Sequence, residues 1–435
     1  MALVPVCLNL MSEPQITRLD NGLTVLTVPG GSGSAAAMLF VGAGSRYETR
    51  GVSGTAHFLE HLFFKGTPRR PTTLDIATEI DSLGARFNAF TSEEYTAYFV
   101  KGAAEYTARA VDVIADMLRN ALIPEEEVNR ERGVVLEEMK MYEDNPQAKV
   151  FRLMGEAMYG DSPLGWGVLG FPEVISTVTR EQILAYRTSF YAPGRMTLVI
   201  SGNAEHDASL RLADKYFADL PPRPLQGAEP GSFAPPNHKQ NERDVQQANI
   251  ALAMPGISHS EPEGEVLAAR MMSAIFGGSM SSRLFISVRE RQGLCYSVSS
   301  SLDMNADIGS LLIYTGTDPA KAGTAVESII REMETIVAEG VTREEMEKGR
   351  AMLKGRYVLD REDSMAIGYL AAAEMLYRGR VSTQEEQFAL IDGVTAEAVH
   401  AAATRYLQPE QIRSAVVGPP GLDISGALAG APAAV

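Results

Sequence analysis

The sequence is short of cysteine, of basic residues and of long apolar runs, and each shortage excludes a class of protein. Its two cysteines, Cys7 and Cys295, stand far apart and make no CxxC pair. Neither a disulfide framework nor a cysteine-based zinc site is expected from them. That usage suits a reducing compartment and points to the cytoplasm. Lys and Arg number 39 against 55 Asp and Glu, a net charge of −16. Phosphate-backbone binding needs clustered Lys and Arg, so no nucleic-acid partner is expected. The acid excess either attracts cationic partners or simply keeps the chain soluble. No apolar run approaches the ~18 residues of a membrane span, so no membrane role is expected. Residues 1–14 are mildly apolar, lack a basic flank and contain Pro5. They read as a ragged N-terminus, with Met11 an alternative start, and not as a signal peptide.

What remains is ordinary globular composition: 435 residues, 45% hydrophobic and 22% charged. Composition shifts once, over residues 221–243, which are rich in proline and poor in aliphatics. They read as a linker between a first domain at 15–220 and a second at 244–420. Residues 421–435 are rich in small side chains and read as a disordered tail. In the first half, alternation and turn signals predict strands near 16–19, 23–26, 36–41, 86–90, 95–100 and 196–201. Helices are expected near 55–64, 74–83, 105–121, 125–143, 147–159 and 179–190. The second half repeats the order, with strands near 249–254, 296–301, 309–315 and 413–417. Its helices are expected near 264–276, 320–338, 343–358 and 395–406. Two such halves imply a duplicated α+β unit, antiparallel strands on one side and helices on the other.

Chemistry concentrates in HFLEH. His57 and His61 stand four apart and face one way on a helix, so both imidazoles can reach one metal ion. Glu60, three after His57, is placed to accept a proton from a metal-activated water. This is the HxxEH order, the inverse of HExxH. Two solvated histidines would satisfy the bare pattern. The helix is otherwise apolar (Phe58, Leu59, Leu62, Phe63, Phe64), and burying these three residues there is costly unless they are paired or metal-bound. Catalytic zinc needs three protein ligands and an open position. The third must be a carboxylate, and the acidic helix over 125–143 offers several. Glu131 and Glu138 are seven apart and share a face, whereas Glu137 points ~100° away from Glu138.

GTAHFLEHLFFKGT, followed in the acidic helix by ERGVVLEEM, resembles the pitrilysin/insulinase family of zinc metallopeptidases. Within it the chain is most similar to the mitochondrial processing peptidase-like branch and its bacterial relatives. The resemblance runs along nearly the whole chain. It implies a processing peptidase-like duplication and one zinc per chain, held by His57, His61 and Glu138. Glu60 is then the general base, and Glu131 the acid that holds a ligand histidine. In the second half, VRERQGLCYSVSS supplies Arg289 and Tyr296, which match the family's Arg/Tyr pair. Such a pair can stabilise an oxyanion and grip a peptide backbone. Asn88 and Ala89, in FNAFTSEEYTAYF, match an edge strand on which a peptide substrate can add as a further strand; Asn is also a common turn residue. The expected activity is zinc-dependent endopeptidase cleavage of peptides or unfolded, presequence-like segments. By analogy the expected assembly is a homodimer whose four α+β units enclose a chamber. The alternative is a non-catalytic peptide-binding or scaffold subunit of a peptidase complex.

Overall fold

Two sheets organise the computed structural model, which describes residues 13–30 and 33–429. The first contains β1 (Gln15–Arg18), β2 (Thr24–Pro29), β3 (Ser34–Val41), β4 (Arg86–Thr91), β5 (Thr96–Ala103) and β6 (Met196–Gly202). Its order is β1-β2-β6-β3-β5-β4, antiparallel except for the parallel pair β2 and β6. The second contains β7 (His238–Glu242), β8 (Ala248–Pro255), β9 (Cys295–Met304), β10 (Gly309–Thr317) and β11 (Arg413–Gly418). Its order is β7-β11-β8-β10-β9, with β7 and β11 as its parallel pair. The second order repeats the first strand for strand once β1 is set aside, as a duplicated α+β unit requires.

Each sheet is covered by its own helices on one face and by a helix of the other half on the opposite face. Side chains of a strand alternate between faces, and the sorting is visible in β3. Ala37, Leu39 and Val41 join the core with Phe58, Leu62 and Val111, while Met38 and Phe40 pack against Ile367, Ala371 and Ala372. Those last three belong to a helix of the second half, Ser364–Arg378. Reciprocally, Ile250, Leu252 and Met254 of β8 face their own helices, while Ala251 and Ala253 meet Val150, Met154 and Ala157. That second set lies on Pro146–Tyr159, a helix of the first half. The crossing is pinned by polar contacts: the Tyr95 and Tyr369 hydroxyls lie 2.5 Å apart, and Ser201 Oγ donates to the Ser364 carbonyl at 2.6 Å.

Three expectations need correction. Residues 238–242, assigned to the linker, form β7; HKQNE has no apolar alternation because the strand lies at the sheet edge and is held by backbone pairing to β11. The second half thus begins before residue 244. The tail is ordered to residue 429: Ser425–Ala429 is a short helix, and Ile424 and Ala427 are buried in the second core. Residues 1–12 and 430–435 lie outside the described residues. Helices at His206–Phe217, Ser364–Arg378 and Gln384–Gly393 also went unforeseen. Among the described residues no helix is long and apolar enough to cross a membrane.

Candidate metal centre

The helix Thr55–Leu62 is entered through Gly54, whose φ of +87° excludes other residues; a Cβ there would stand 2.3 Å from the Leu169 carbonyl oxygen. Gly54 offers no side-chain cap, so the free amides of the first turn are met from elsewhere. Buried Glu48 accepts from Gly54 N and Ala56 N, at 2.6 Å each. Burial pushes that carboxyl up to about 8, against the pull of the amides. On the turn so fixed, the His57 and His61 rings lie 4.6 Å apart between centres.

Glu138, on the helix Glu125–Asp144, completes the group. Its Oε2 is 3.7 Å from His57 Nε2 and 3.5 Å from His61 Nε2. Donors of a tetrahedral metal with bonds near ~2.1 Å stand about 3.4 Å apart; both Glu138 separations are close to this, and all three donors lie within 4.8 Å of one another. Among the described residues this is the one group of His, Cys, Asp and Glu so arranged. Glu137 points outward to Lys140 at 2.7 Å and is 73% exposed, which separates it from its neighbour.

Glu131 is buried and does different work. Its Oε2 lies 3.1 Å from His61 Nδ1, and its Oε1 takes Lys65 Nζ at 2.5 Å. This bond holds a proton on Nδ1 and leaves Nε2 as the ring atom that faces Glu138 and the centre, free to become a ligand once it is deprotonated. Glu60 is buried too and accepts from Thr91 Oγ1 at 2.6 Å. Burial raises its carboxyl above the usual range, and the Thr91 bond holds it partway down. Burial and then the charge of His61 lower His57 to about 4. His61 moves the other way, to about 9: burial opposes its charge, but the bonds to Glu131 and Glu138 prevail. Without a metal, then, one imidazolium sits between carboxylates beside one neutral imidazole.

These donors open into a cavity of about 940 Å³. Asn88 and Ala89 line it from β4, the edge strand of the first sheet. Asn88 Oδ1 accepts from the Ala89 amide at 2.9 Å. Asp303, Asn305, Ser310 and Leu312 line it from the second half, and the crossing helix Pro146–Tyr159 supplies a wall. Arg289 and Tyr296 do not line it. They stand together elsewhere on the second half: the guanidinium is 5.7 Å from the Tyr296 ring centre, and Tyr296 is 76% exposed. The fold therefore gathers His57, Glu60, His61, Glu131, Glu138, Asn88 and Ala89, and leaves the Arg/Tyr pair apart. Sequence reasoning missed Lys65, Thr91 and Glu48. Lys65, four after His61, repeats the spacing that marked the histidines; Thr91 and Glu48 carried no local signal.

Comparison with known proteins agrees with this geometry. The family model described as Insulinase (Peptidase family M16) matches residues 25–170, and the Peptidase M16 inactive domain matches residues 177–353. The chain is 35% identical over 416 residues to a Mycobacterium leprae protein named an uncharacterized zinc protease, covering 93% of this chain and 91% of that one. A Bacillus subtilis protein that is likewise named an uncharacterized zinc protease is 33% identical over 406 residues, covering 93% and 96%. Among solved structures, a protease from Helicobacter pylori superposes with a TM-score of 0.86 at 21% identity, covering 94% of this chain and 100% of that one. A Pseudomonas fluorescens peptidase M16 inactive domain gives the same score and identity, covering 94% and 98%. These two likenesses confirm the two-sheet fold. With relatives above 30% identity along nearly its whole length and a family domain on each half, the chain belongs to the pitrilysin/insulinase family, peptidase family M16.

Proposed function

We propose that the chain is a zinc-dependent endopeptidase that cleaves peptides or unfolded, presequence-like segments. The observation that carries this is the convergence of His57, His61 and Glu138, their donor atoms within 4.8 Å of one another, with Glu60 buried beside them. The zinc protease names of the relatives support the choice of metal and reaction. One zinc per chain would supply Lewis-acid polarisation of the scissile carbonyl and make a water acidic near neutral pH. Glu60, its carboxyl raised above the usual range by burial and held by the Thr91 hydrogen bond, takes the proton of the attacking water and returns it to the leaving amine. Glu131 and Lys65 hold His61 in place. An extended peptide pairs with the edge of β4, where Ala89 leaves room for its backbone.

Arg289 and Tyr296 are assigned to the oxyanion and the substrate backbone. They lie outside the cavity of their own chain, which supports a reading in which a second copy supplies them in a homodimer. Cysteine usage favours the cytoplasm.

The test compares zinc-loaded wild type with Glu60→Gln. Hydrolysis of an unfolded peptide falls by at least ~10²-fold, with zinc per chain unchanged by metal analysis. Full activity in the variant overturns the role of Glu60. A zinc-loaded wild type that binds peptide and cleaves none selects the non-catalytic subunit instead.

A further inference from the structure

Glu48 is a buried acid that touches no donor, yet it grips the start of the helix that carries two of them. It is 5% exposed and enters no ion pair among the described residues. Both of its oxygens meet backbone: Oε2 accepts from Gly54 N and Oε1 from Ala56 N, and the Thr55 amide pulls on the carboxyl as well. The metal helix cannot serve these amides itself, since its bonding begins with Phe58 N donating to the Gly54 carbonyl at 3.0 Å. Ser53, Thr55 and Ala56 are fully buried, so bulk water does not reach them either.

The segment that carries Glu48 is itself held in place. Before Glu48, Tyr186 Oη donates to the Gly44 carbonyl at 2.9 Å, and Arg46 N donates to the Glu93 carbonyl at 2.8 Å. The Arg46 guanidinium pairs with Glu94 at 2.5 Å and with Asp307 of the second half at 2.6 Å. After Glu48, Arg50 pairs with Asp161 and stands 4.5 Å from the Phe171 ring centre. The cavity wall closes on the same entry: a side chain at Gly170 would collide with the Ser53 carbonyl and Gly54 N. The carboxylate therefore acts from a fixed seat.

The other half supplies the contrast. Its helix Glu263–Gly277 is entered through Pro262 with no side-chain cap, and Gly264 and Glu265 in its first turn are exposed. Water can meet those amides. The buried carboxylate stands at the helix that bears the metal donors.

We propose that Glu48 is a positioning residue for the metal, setting His57 and His61 against Glu138 through the amides of the first turn. His57 follows Ala56 directly, and His61 lies one turn further on. Glu138 stands on a different helix, Glu125–Asp144, so a shift in the entry of the first helix moves both imidazoles relative to it. This rests on the zinc reading of the site and adds to it the residue that holds two of the donors in register.

The experiment reads metal, so it does not depend on cleavage. Zinc affinity is measured on the full-length chain by competition with a chromophoric chelator, and ligand geometry by the visible absorption of the cobalt(II) form. Glu48→Ala and Glu48→Gln each bind zinc about tenfold or more weakly, and their cobalt bands shift and lose intensity. Glutamine is the sharper variant. It fills the same space, but its NH2 group faces a backbone N–H, where only an acceptor serves. Ile367→Ala, which loosens the first sheet away from the centre, keeps wild-type zinc affinity and cobalt bands. Wild-type values in folded Glu48→Gln overturn the positioning role and reduce Glu48 to a space filler; an equal loss in Ile367→Ala overturns it as general loosening. Should both Glu48 variants fail to fold, Glu48→Asp, with both oxygens one carbon short, is read in the same way. A wild type that takes up no zinc overturns the zinc reading, and the positioning role with it. Zinc uptake by wild type with indifferent variants overturns the positioning role alone.

Discussion

The two halves share a backbone plan and differ in chemistry. Strands β7-β11-β8-β10-β9 repeat β2-β6-β3-β5-β4, and each sheet receives one helix from the other half. After β3 the chain forms Thr55–Leu62, which carries His57, Glu60 and His61 on a buried turn. After β8 it forms Glu263–Gly277, whose buried residues are aliphatic, Phe276, Ser273 and Gly277. The same place in the plan is thus the candidate metal site in one copy and core in the other. Topology is inherited through strand pairing and burial, which many side chains satisfy; chemistry needs particular donors at particular places. The second half keeps polar groups elsewhere, in the exposed Arg289–Tyr296 pair and in the Asp303 side of the cavity wall.

The largest expected effect tests whether this division of labour operates between chains. Glu60→Gln disables the first half, and Arg289→Ala combined with Tyr296→Phe disables the second. Each variant alone loses at least ~10²-fold in peptide hydrolysis. The second variant keeps its zinc, because neither residue touches the donors. Equal mixing after subunit exchange makes half the dimers mixed, and each mixed dimer has one intact site of two. Activity therefore returns to about a quarter of wild type. No return on mixing, with exchange verified by mass, breaks the comparison by showing that one chain serves itself.

A smaller effect tests whether the exchanged helices weld the copies into one folding unit. Ile367 packs on the first sheet from the second half, and Met154 on the second sheet from the first half. Both are 4% exposed. Ile367→Ala and Met154→Ala each cost about 2–5 kcal/mol in urea unfolding, with a single transition retained. Two separate transitions, each moved by one substitution, show instead that the halves unfold apart.

The legibility of the sequence divides along similar lines. HFLEH declared itself because helical spacing is local; the seven-residue separation put Glu131 and Glu138 on one face, and their roles came from the family resemblance. The central strands declared themselves through apolar runs. β7 stayed hidden because an edge strand held by backbone pairing needs no apolar side chains. Ser364–Arg378 stayed hidden because it is apolar nearly all round, with Ile367, Ala371 and Ala372 buried in the first sheet's core, and leaves little amphipathic stripe to read. Thr91 reaches Glu60 across 31 residues, and Glu48 caps the helix from an irregular segment six to eight residues before the amides it meets, so neither follows a helical or strand period. Arg289 and Tyr296 were legible as a pair only through the family resemblance, and their distance from the cavity was not legible at all.

The smallest expected effect concerns acid, and it separates the halves by their buried arginines. In the first half Arg70 joins Glu79 at 2.6 Å, Asp112 at 2.7 Å and Asp116 at 2.6 Å. In the second, Arg283 meets Glu345 at 2.7 Å and the Gly340 carbonyl at 2.7 Å. Burial alone would raise Asp112, but hydrogen bonds from Arg69 and Arg70 hold it well below the usual carboxylate range. Asp116 is lowered against burial by Asn120, Thr67 and Arg70. Groups with a depressed value in the fold bind fewer protons there than in the unfolded chain. Their contribution is present above the unfolded value near ~4 and is lost as pH falls through the folded values. Between pH 5 and pH 3, hydrogen exchange should therefore accelerate more in Thr73–Ser82 and Thr107–Asn120 than in Arg343–Asp360. Asp112→Asn should flatten the acid limb of the first half and leave that of the second unchanged. Equal acceleration in both halves would show that one arginine pair protects as well as the larger network, so that acid does not tell the copies apart.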